Sequence, residues 1–507
     1  MNDLLPSAEI CDRARAARDA RFDGLFFTAV ISTGIYCRPI CPAPSPKPQN
    51  IRYFANAAAA SAAGFRPCLR CRPELSPNAM QHRYSDEWVN RSLALIADGE
   101  LVAGSVTTLA NKIGLSTRQI SRLFQSILGA SPIAVHNNRR LLLAKQLITE
   151  TALPMTEIAL ASGFNSLRRF NAAFVEGCAM PPSAIRRLQT PLTSHGRWQG
   201  NCLNLRLAYR PPFDFALMLA FLAKRAIPGI ERITESSYER VTGPLTHSCW
   251  IRVTSDAKKP ELRLEIANSE PRMIPDLVQR TRRLFDLDAD MQVVHLGLQS
   301  SALLTAGIAR RPGLRVPGSW DGFELAVRAV IGQQISVAGA TTITARLVAR
   351  CGATRSDKQG NLDSAFPAPE VLAQASLTGI GLTNTRMNTL RALAQAVVDD
   401  EISFQAGQKI DEFERKMCRI PGVGPWTAQY VAMRALHHPD AFPAGDLILQ
   451  QVLGGELRLS ERETAALSQA WRPWRAYAVM HLWHMSAVSP ERRDLSADIA
   501  LEKKHVV

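Results

Sequence analysis

Four of the ten cysteines are paired by spacing. Three residues separate Cys37 from Cys41 and two separate Cys68 from Cys71, with 26 residues between the pairs. Two short-spaced pairs present four sulfurs to one tetrahedral ion, so the pattern predicts a zinc site. The other six (Cys11, Cys178, Cys202, Cys249, Cys351 and Cys418) are solitary and read as small apolar residues in a reducing compartment. A four-cysteine site is ordinarily closed and structural. Here Arg38, Arg52, Arg66, Arg70 and Arg72 crowd the sulfurs, and no Asp or Glu falls between Cys37 and Cys71. A metal-held thiolate is a deprotonated, soft nucleophile at neutral pH, and cationic neighbours would bring it against a phosphate backbone.

A second reactive spot lies near the other end. The run Ile420-Pro421-Gly422-Val423-Gly424 precedes PWTAQYVAMRAL, and Asp446 follows Gly424 by 22 residues. A Gly-x-Gly turn between helices can aim backbone N–H groups at a phosphate, helped by the N-terminus of the next helix. A fixed carboxylate beside it would favour the positive charge that develops on a sugar as an N-glycosidic bond breaks. Helix capping by Asp446 fits Gly-Asp-Leu-Ile equally well as local structure.

Both spots need scaffolds. At roughly 150 residues per domain, 507 residues suggest three or four units. Hydrophobic residues at 46% and charged residues at 21% exclude a mostly disordered chain. Mean hydropathy is −0.06 and no apolar run approaches the ~18–20 residues that cross a bilayer. The first residues lack the apolar core of a signal peptide. The expectation is a bacterial cytoplasmic, nucleoid-associated protein with no membrane partner. A net charge of +15 and a pI near 9.7 make double-stranded DNA the first partner to test.

The middle of the chain repeats one helical grammar. From Ser105 to Thr190, ten Lys/Arg stand against three acids, Glu150, Glu157 and Glu176. In the first copy Leu109, Ala110 and Ile113 precede a turn at Gly114 and a cap at Ser116. A helix from Thr117 then turns Ile120, Leu123, Phe124 and Ile127 inward. In the second, Ile158 and Ala159 precede Gly163, a cap at Asn165, and a helix burying Phe170 and Phe174. NNRRLLLAKQLI reads as a connecting helix. Two helix-turn-helix copies are much better evidence of DNA binding than one. Beyond a linker at 191–200, LNLRLAYRPPFDFALMLAFLAKRAI reads as a strand, a Pro-Pro break and an apolar helix, and CWIRVT and LRLEIA as strands. Helical patterns dominate from about 310 onward.

These segments resemble three known families. TGIYCRPICPAP and NIRYFANAAAASAAGFRPCLRCRPE resemble the N-terminal domain of the Ada adaptive-response family. That resemblance implies Cys37 as acceptor of a methyl group from a DNA methyl phosphotriester, with Cys41, Cys68 and Cys71 completing a zinc site. Transfer would be stoichiometric. It would also lower the negative charge of the cluster, and so raise DNA affinity. The double helix-turn-helix resembles the AraC/XylS DNA-binding domain. It implies recognition helices starting near Thr117 and Ser166, with Arg118, Gln119, Arg122, Asn165, Arg168 and Arg169 as candidate base or phosphate contacts. RNA polymerase would then be a partner of the activator.

The hairpin, Asp446 and WRPWRAYAVMHLW resemble the helix-hairpin-helix DNA glycosylases of the AlkA, 3-methyladenine type. The resemblance implies Asp446 as catalytic carboxylate, Trp426, Tyr430 and Trp483 as an aromatic pocket, and Gly422 and Gly424 as the DNA grip. Helix-packing core is the ordinary fate of such aromatics. Alkylated purines carry positive charge, so aromatic faces would attract them once flipped. Trp426 stands where strand-cleaving relatives carry Lys, so no Schiff base is expected and the enzyme would be a monofunctional hydrolase. No C-terminal cysteine cluster exists, so no iron–sulfur cluster is expected. The wedge leucine of that family aligns with Gln334. The Pro-Cys-His-Arg motif of a second Ada methyltransferase domain does not occur.

The expected architecture is multidomain and mainly α with α+β parts. Its expected parts are a zinc methyl-acceptor domain at 1–80, a double helix-turn-helix domain at 81–190, a linker at 191–200, an AlkA-like α+β domain at 201–305, a helix-hairpin-helix glycosylase domain at 306–495 and a tail at 496–507. The expected function is bifunctional: methyl-triggered activation of transcription, and hydrolytic excision of alkylated purines of the 3-methyladenine class. The alternative is a transcription regulator whose glycosylase half binds DNA without acting on it.

Overall fold

In the segment around Cys37, alternating apolar residues form short strands. β1 (Phe27–Val30), β2 (Ile35–Cys37), β3 (Ile51–Phe54) and β4 (Arg66–Pro67) make one sheet of order β3-β1-β2-β4. The structure is a computed structural model that describes residues 5–77, 86–188, 202–245, 247–359, 361–455 and 457–487. The linker expected at 191–200 and the tail expected at 496–507 lie outside the described residues. Two compact units result, Met1–Arg210 with Ile251–Arg282 and Leu287–Ala289, and Pro211–Trp250 with Arg283–Asp286 and Asp290–Val507. The chain is multidomain and mainly helical with smaller sheets.

In the first unit, β2 pairs in parallel with β4, Tyr36 opposite Pro67. The amide of Cys68 then donates to the Tyr36 carbonyl at 3.0 Å, which brings the two cysteine pairs together. Phe27, Ala29, Tyr36, Ala60 and Phe65 fill the core behind them.

The helix-turn-helix pairs form Val106–Ile113 with Thr117–Leu128, and Met155–Ala161 with Leu167–Cys178. Gly114 and Gly163 turn with φ of 77° and 75°, the left-handed region that glycine enters without a Cβ penalty. Ile120, Phe124, Phe170 and Phe174 are buried as the periodicity requires, while Leu123 and Ile127 are only partly buried. Ser116 caps the first recognition helix with a reciprocal Ser116–Gln119 box. The second is capped by Ser166, not Asn165, because the Ser166 hydroxyl accepts from the Arg169 amide at 3.2 Å. The connecting helix is longer than its apolar core suggested, Pro132–Glu150. In the same unit Cys202–Ala208 pairs antiparallel with Glu261–Ala267, Cys202 opposite Ala267.

In the second unit the helix Phe215–Ala223 follows the Pro-Pro break, and Glu231–Ile233 pairs with Ser237–Thr242. Helix Gly322–Ile331 is buried along most of its length and packs against Asn384–Val398 and Pro425–Arg434. Its Glu324 forms a buried ion pair with Arg240. Helices Ile410–Met417 and Pro425–Arg434 flank the Gly-x-Gly hairpin, and Leu447–Gly454 and Arg475–Ala487 complete the surroundings of Asp446.

Candidate metal centre and candidate active site

The four sulfurs of Cys37, Cys41, Cys68 and Cys71 lie within 4.8 Å of one another, as one ion would require. Cys68 and Cys71 are buried, whereas Cys37 and Cys41 are partly exposed. Hydrogen bonding by Cys41 and Cys68 pushes the Cys37 thiol well above its usual range, and hydrogen bonding by Cys37 draws Cys41 down to about 7. Sulfurs that compete for protons in this way suit a shared dication. Main-chain amides of Arg38 and Arg70 donate to Cys71 and Cys68 at 3.3 and 3.4 Å. Among the described residues no such bond reaches Cys37.

The surrounding arginines divide into two groups. Arg38 is bound to buried Asp23 and to the Cys71 carbonyl. Arg72, left-handed at φ 55°, reaches Glu74 at 2.8 Å and Glu150 at 3.1 Å. Those two serve the fold; Arg52 and Arg70 remain exposed. The spacing of cysteines gave no sign of the acids involved, because they come from outside the Cys37–Cys71 segment. Lys145 on the connecting helix, 1% exposed, bridges Glu74 at 2.5 Å and the Cys68 carbonyl at 3.3 Å. Arg206 adds a second cation to Glu150. A buried ionic network therefore seats the second cysteine pair on the helix that joins the two helix-turn-helix motifs.

Of the expected DNA contacts, Arg118, Arg122, Asn165, Arg168 and Arg169 are exposed. The Gln119 side-chain oxygen is occupied in the Ser116 cap, at 2.9 Å from that amide. The recognition-helix cations are thus presented to solvent, and Gln119 is partly spent on local structure.

In the second unit Asp446 is the N-cap of Leu447–Gly454 and also more than a cap. Its Oδ1 accepts from the amides of Ile448 and Leu449 at 3.0 and 3.1 Å and from the Trp483 indole at 3.2 Å. Its Oδ2 accepts from the Trp426 indole at 3.1 Å. Trp426 and Tyr430, one turn apart on Pro425–Arg434, stack at 5.5 Å and 8°. Trp483 lies 6.2 Å from Tyr430, tilted. All four side chains are half-buried rather than core, so the sequence-expected residues do converge on one open site.

Sequence reasoning missed Arg434. It is buried and donates to the Tyr430 hydroxyl at 2.6 Å, anchored by the carbonyls of Pro317 and Gly318 at 2.8 Å each. Burial alone would raise the Tyr430 phenol, but Arg434, Arg225 and Arg328 more than offset it and hold it below its usual range. Arg225, Trp320, Glu324, Arg328 and Arg434 line a small polar cleft. The i, i+4 spacing of Tyr430 and Arg434 was the available signal.

At the hairpin, Gly422 has φ 87°, and a Cβ there would meet Thr389 Oγ1 at 2.3 Å. Gly424 begins the next helix with no side-chain cap, leaving its first amides free for an anion. Gln334 is exposed, with φ 60°.

Family models match in chain order: the metal-binding domain of Ada over residues 10–74, a helix-turn-helix domain over 109–188, the AlkA N-terminal domain over 204–321, and the HhH-GPD superfamily of base excision DNA repair proteins over 327–475. The probable bifunctional transcriptional activator/DNA repair enzyme AlkA of Mycobacterium tuberculosis is 38% identical over 479 residues, 94% of this chain and 96% of that one. The chain belongs to the Ada/AlkA family of bifunctional activator and DNA repair enzymes. DNA-3-methyladenine glycosylase 2 of Escherichia coli K12 is 31% identical, covering 56% of this chain and 98% of that one. The bifunctional activator Ada of the same organism is 41% identical over 118 residues, 23% of this chain and 32% of that one. The four-cysteine cluster lies inside the Ada metal-binding match, and Asp446 lies inside the HhH-GPD match.

Proposed function

We propose that this chain senses methyl phosphotriesters in DNA through Cys37, activates transcription, and excises alkylated purines by hydrolysis at Asp446. The carrying observation is the coordination of Asp446: four N–H donors fix one carboxylate at the rim of a stacked aromatic pair. Such fixed charge favours an oxocarbenium-like transition state. A cationic purine is a good leaving group, so stacking on Trp426, Tyr430 and Trp483 replaces most base-specific hydrogen bonding. Gly422, Gly424 and the uncapped helix behind them grip the backbone, and Gln334 fills the vacated stack. Trp426 in place of an amine makes the enzyme a monofunctional hydrolase that leaves the strand intact.

At the sensor, zinc would be held by Cys37, Cys41, Cys68 and Cys71, and when bound it keeps the sulfurs deprotonated. Cys37 is the acceptor on the resemblance to the Ada metal-binding domain; like Cys41 it is partly exposed, whereas Cys68 and Cys71 are buried. Its thiolate attacks the methyl carbon, the S–C bond forms as the C–O bond breaks, and the electron pair stays on the phosphodiester oxygen. The cluster loses one negative charge, so DNA phosphates repel it less. Arg118, Arg122, Arg168 and Arg169 with Asn165 and Gln119 contact the operator, and RNA polymerase is the partner of the activated form. The six-part domain division at 80, 190, 200, 305 and 495 follows from this reading, as does a cytoplasmic, nucleoid-associated protein with one zinc and no iron–sulfur cluster.

The test is release of 3-methyladenine from methylated duplex by wild type and Asp446→Asn. Loss of release on substitution by a factor of roughly 10²–10³ supports the enzyme; no release by wild type leaves a regulator with an inactive glycosylase half. Mass spectrometry of Cys37 after incubation with methylated DNA checks the sensor, since an unmodified thiol defeats it.

A further inference from the structure

The loop between helices Gly322–Ile331 and Val337–Cys351 carries Gln334 in a left-handed, exposed conformation. Beside it Ile335 and Val337 are 37% and 43% exposed, an apolar tip in open solvent. That tip is poorly held by its own backbone. The amides of Gln333 and Ile335 reach the carbonyls of Val330 and Gly332 only at 3.4 Å, the weak end of hydrogen bonding.

What holds it is Gln333. Its Nε2 donates to the Gly422 carbonyl at 3.0 Å and to Thr427 Oγ1 at 2.9 Å. Both acceptors belong to the hairpin and the helix it starts. The carbonyl of Gln333 accepts from Arg386 at 2.7 Å. Three residues on in the Asn384–Val398 helix, Thr389 donates to the Pro421 carbonyl at 2.8 Å. One helix thus braces both the hairpin and the tip, and Gln333 is the direct strut between them.

We infer that Gln333 is a positioning residue that locks the Gln334–Ile335 tip to the Gly422–Gly424 hairpin, so that gripping the backbone and prising the stack happen as one rigid action. This rests on the reading of Asp446 as the glycosylase carboxylate. An apolar tip entering a base step must recover the cost of unstacking. A tip free to swing spends part of that energy on ordering itself. Fixing the strut beforehand lowers the cost of eversion.

The experiment uses the full chain and a duplex with 2-aminopurine beside a pyrrolidine abasic analogue, whose fluorescence rises when the neighbouring stack opens. It also measures single-turnover release of 3-methyladenine. Gln333→Met keeps length and removes both donated bonds. We expect it to bind undamaged duplex like wild type, lose most of the fluorescence rise, and release base about tenfold more slowly, the scale of losing one or two partly exposed hydrogen bonds. Gln333→Ala serves if Gln333→Met does not fold. The decisive arm is the double variant with Gln334→Ala. If Gln333 acts through the tip, the double variant is no slower than Gln334→Ala alone. Multiplying defects, or a wild-type fluorescence rise in Gln333→Met, overturn the inference. Wild type that neither opens the stack nor releases base instead overturns the glycosylase reading.

Discussion

Trp426 donates its indole N–H to the Asp446 carboxylate at 3.1 Å while its ring lies flat against Tyr430. One side chain therefore sets both the direction of the acid and the first face of the pocket. Stacking and donation can be separated. Trp426→Phe keeps an aromatic face and deletes the donor, so the carboxylate retains Trp483 and the two amides but loses the only partner of its Oδ2 among the described residues. The expected result is a fall in kcat for 3-methyladenine release of about tenfold or more with little change in KM. Trp426→Ala should raise KM as well. Steady-state kinetics on methylated duplex distinguishes the two.

The sequence was informative wherever a pattern was local. The two cysteine pairs, the Gly114 and Gly163 turns and the alternation of Phe170 with Phe174 each depend on spacing, and spacing survives folding. Asp446 was legible as a helix cap, and the fold adds two indole donors, from Trp426 and Trp483, to the same carboxylate. What sequence could not carry was pairing across distance. Arg38 looked like a free cation for phosphate because Asp23 lies outside the cysteine segment; Glu74, which pairs with Arg72, stands only two residues on, and its other partner Glu150 is distant. Gln333 has ordinary neighbours in sequence and meets the Gly422 carbonyl only in the fold, whereas Arg434 lies one helical turn from Tyr430 and only its anchoring carbonyls are distant. The Asn165 cap was a register error of one residue, since Ser166 offers the same chemistry.

Lys145 and Glu74 are each 1% exposed and joined at 2.5 Å. Removing one partner of a buried pair strands the other, which costs more than the pair contributes. Lys145→Met should therefore destabilise the first unit by about 3 kcal/mol, softened by the remaining Arg72–Glu74 contact. Adding Glu74→Leu should recover much of that loss. Native-state hydrogen exchange at the paired strands β1 and β2 reads the change in the relevant part of the chain.

Gln119 and Arg122 sit on the same exposed recognition helix but have different jobs. Arg122→Ala should weaken DNA binding and reduce the salt slope by about one, the signature of one lost phosphate contact, or relax preference at one base pair if it reads an edge. Gln119→Ala removes half of the Ser116 cap box. Its main expected effect is a loss of about 0.5–1 kcal/mol in stability of this helix. Titrations of one operator at several salt concentrations, beside thermal melts, separate these outcomes.

His481 is 1% exposed, and burial foremost, then His295 and His484, holds its pKa down at about 4. Its Nε2 faces no hydrogen-bond partner among the described residues. The folded value lies below the ordinary 6.5, so the unfolded chain takes up the proton first as pH falls. Stability from this group is complete above about pH 6.5 and is lost between there and about pH 4. The maximum slope is about 1.4 kcal/mol per pH unit. His481→Leu removes the titration while keeping an apolar side chain. The fall in melting temperature of the second unit between pH 7 and pH 5 should be smaller in the variant than in wild type, and equal falls would assign the acid sensitivity to other groups.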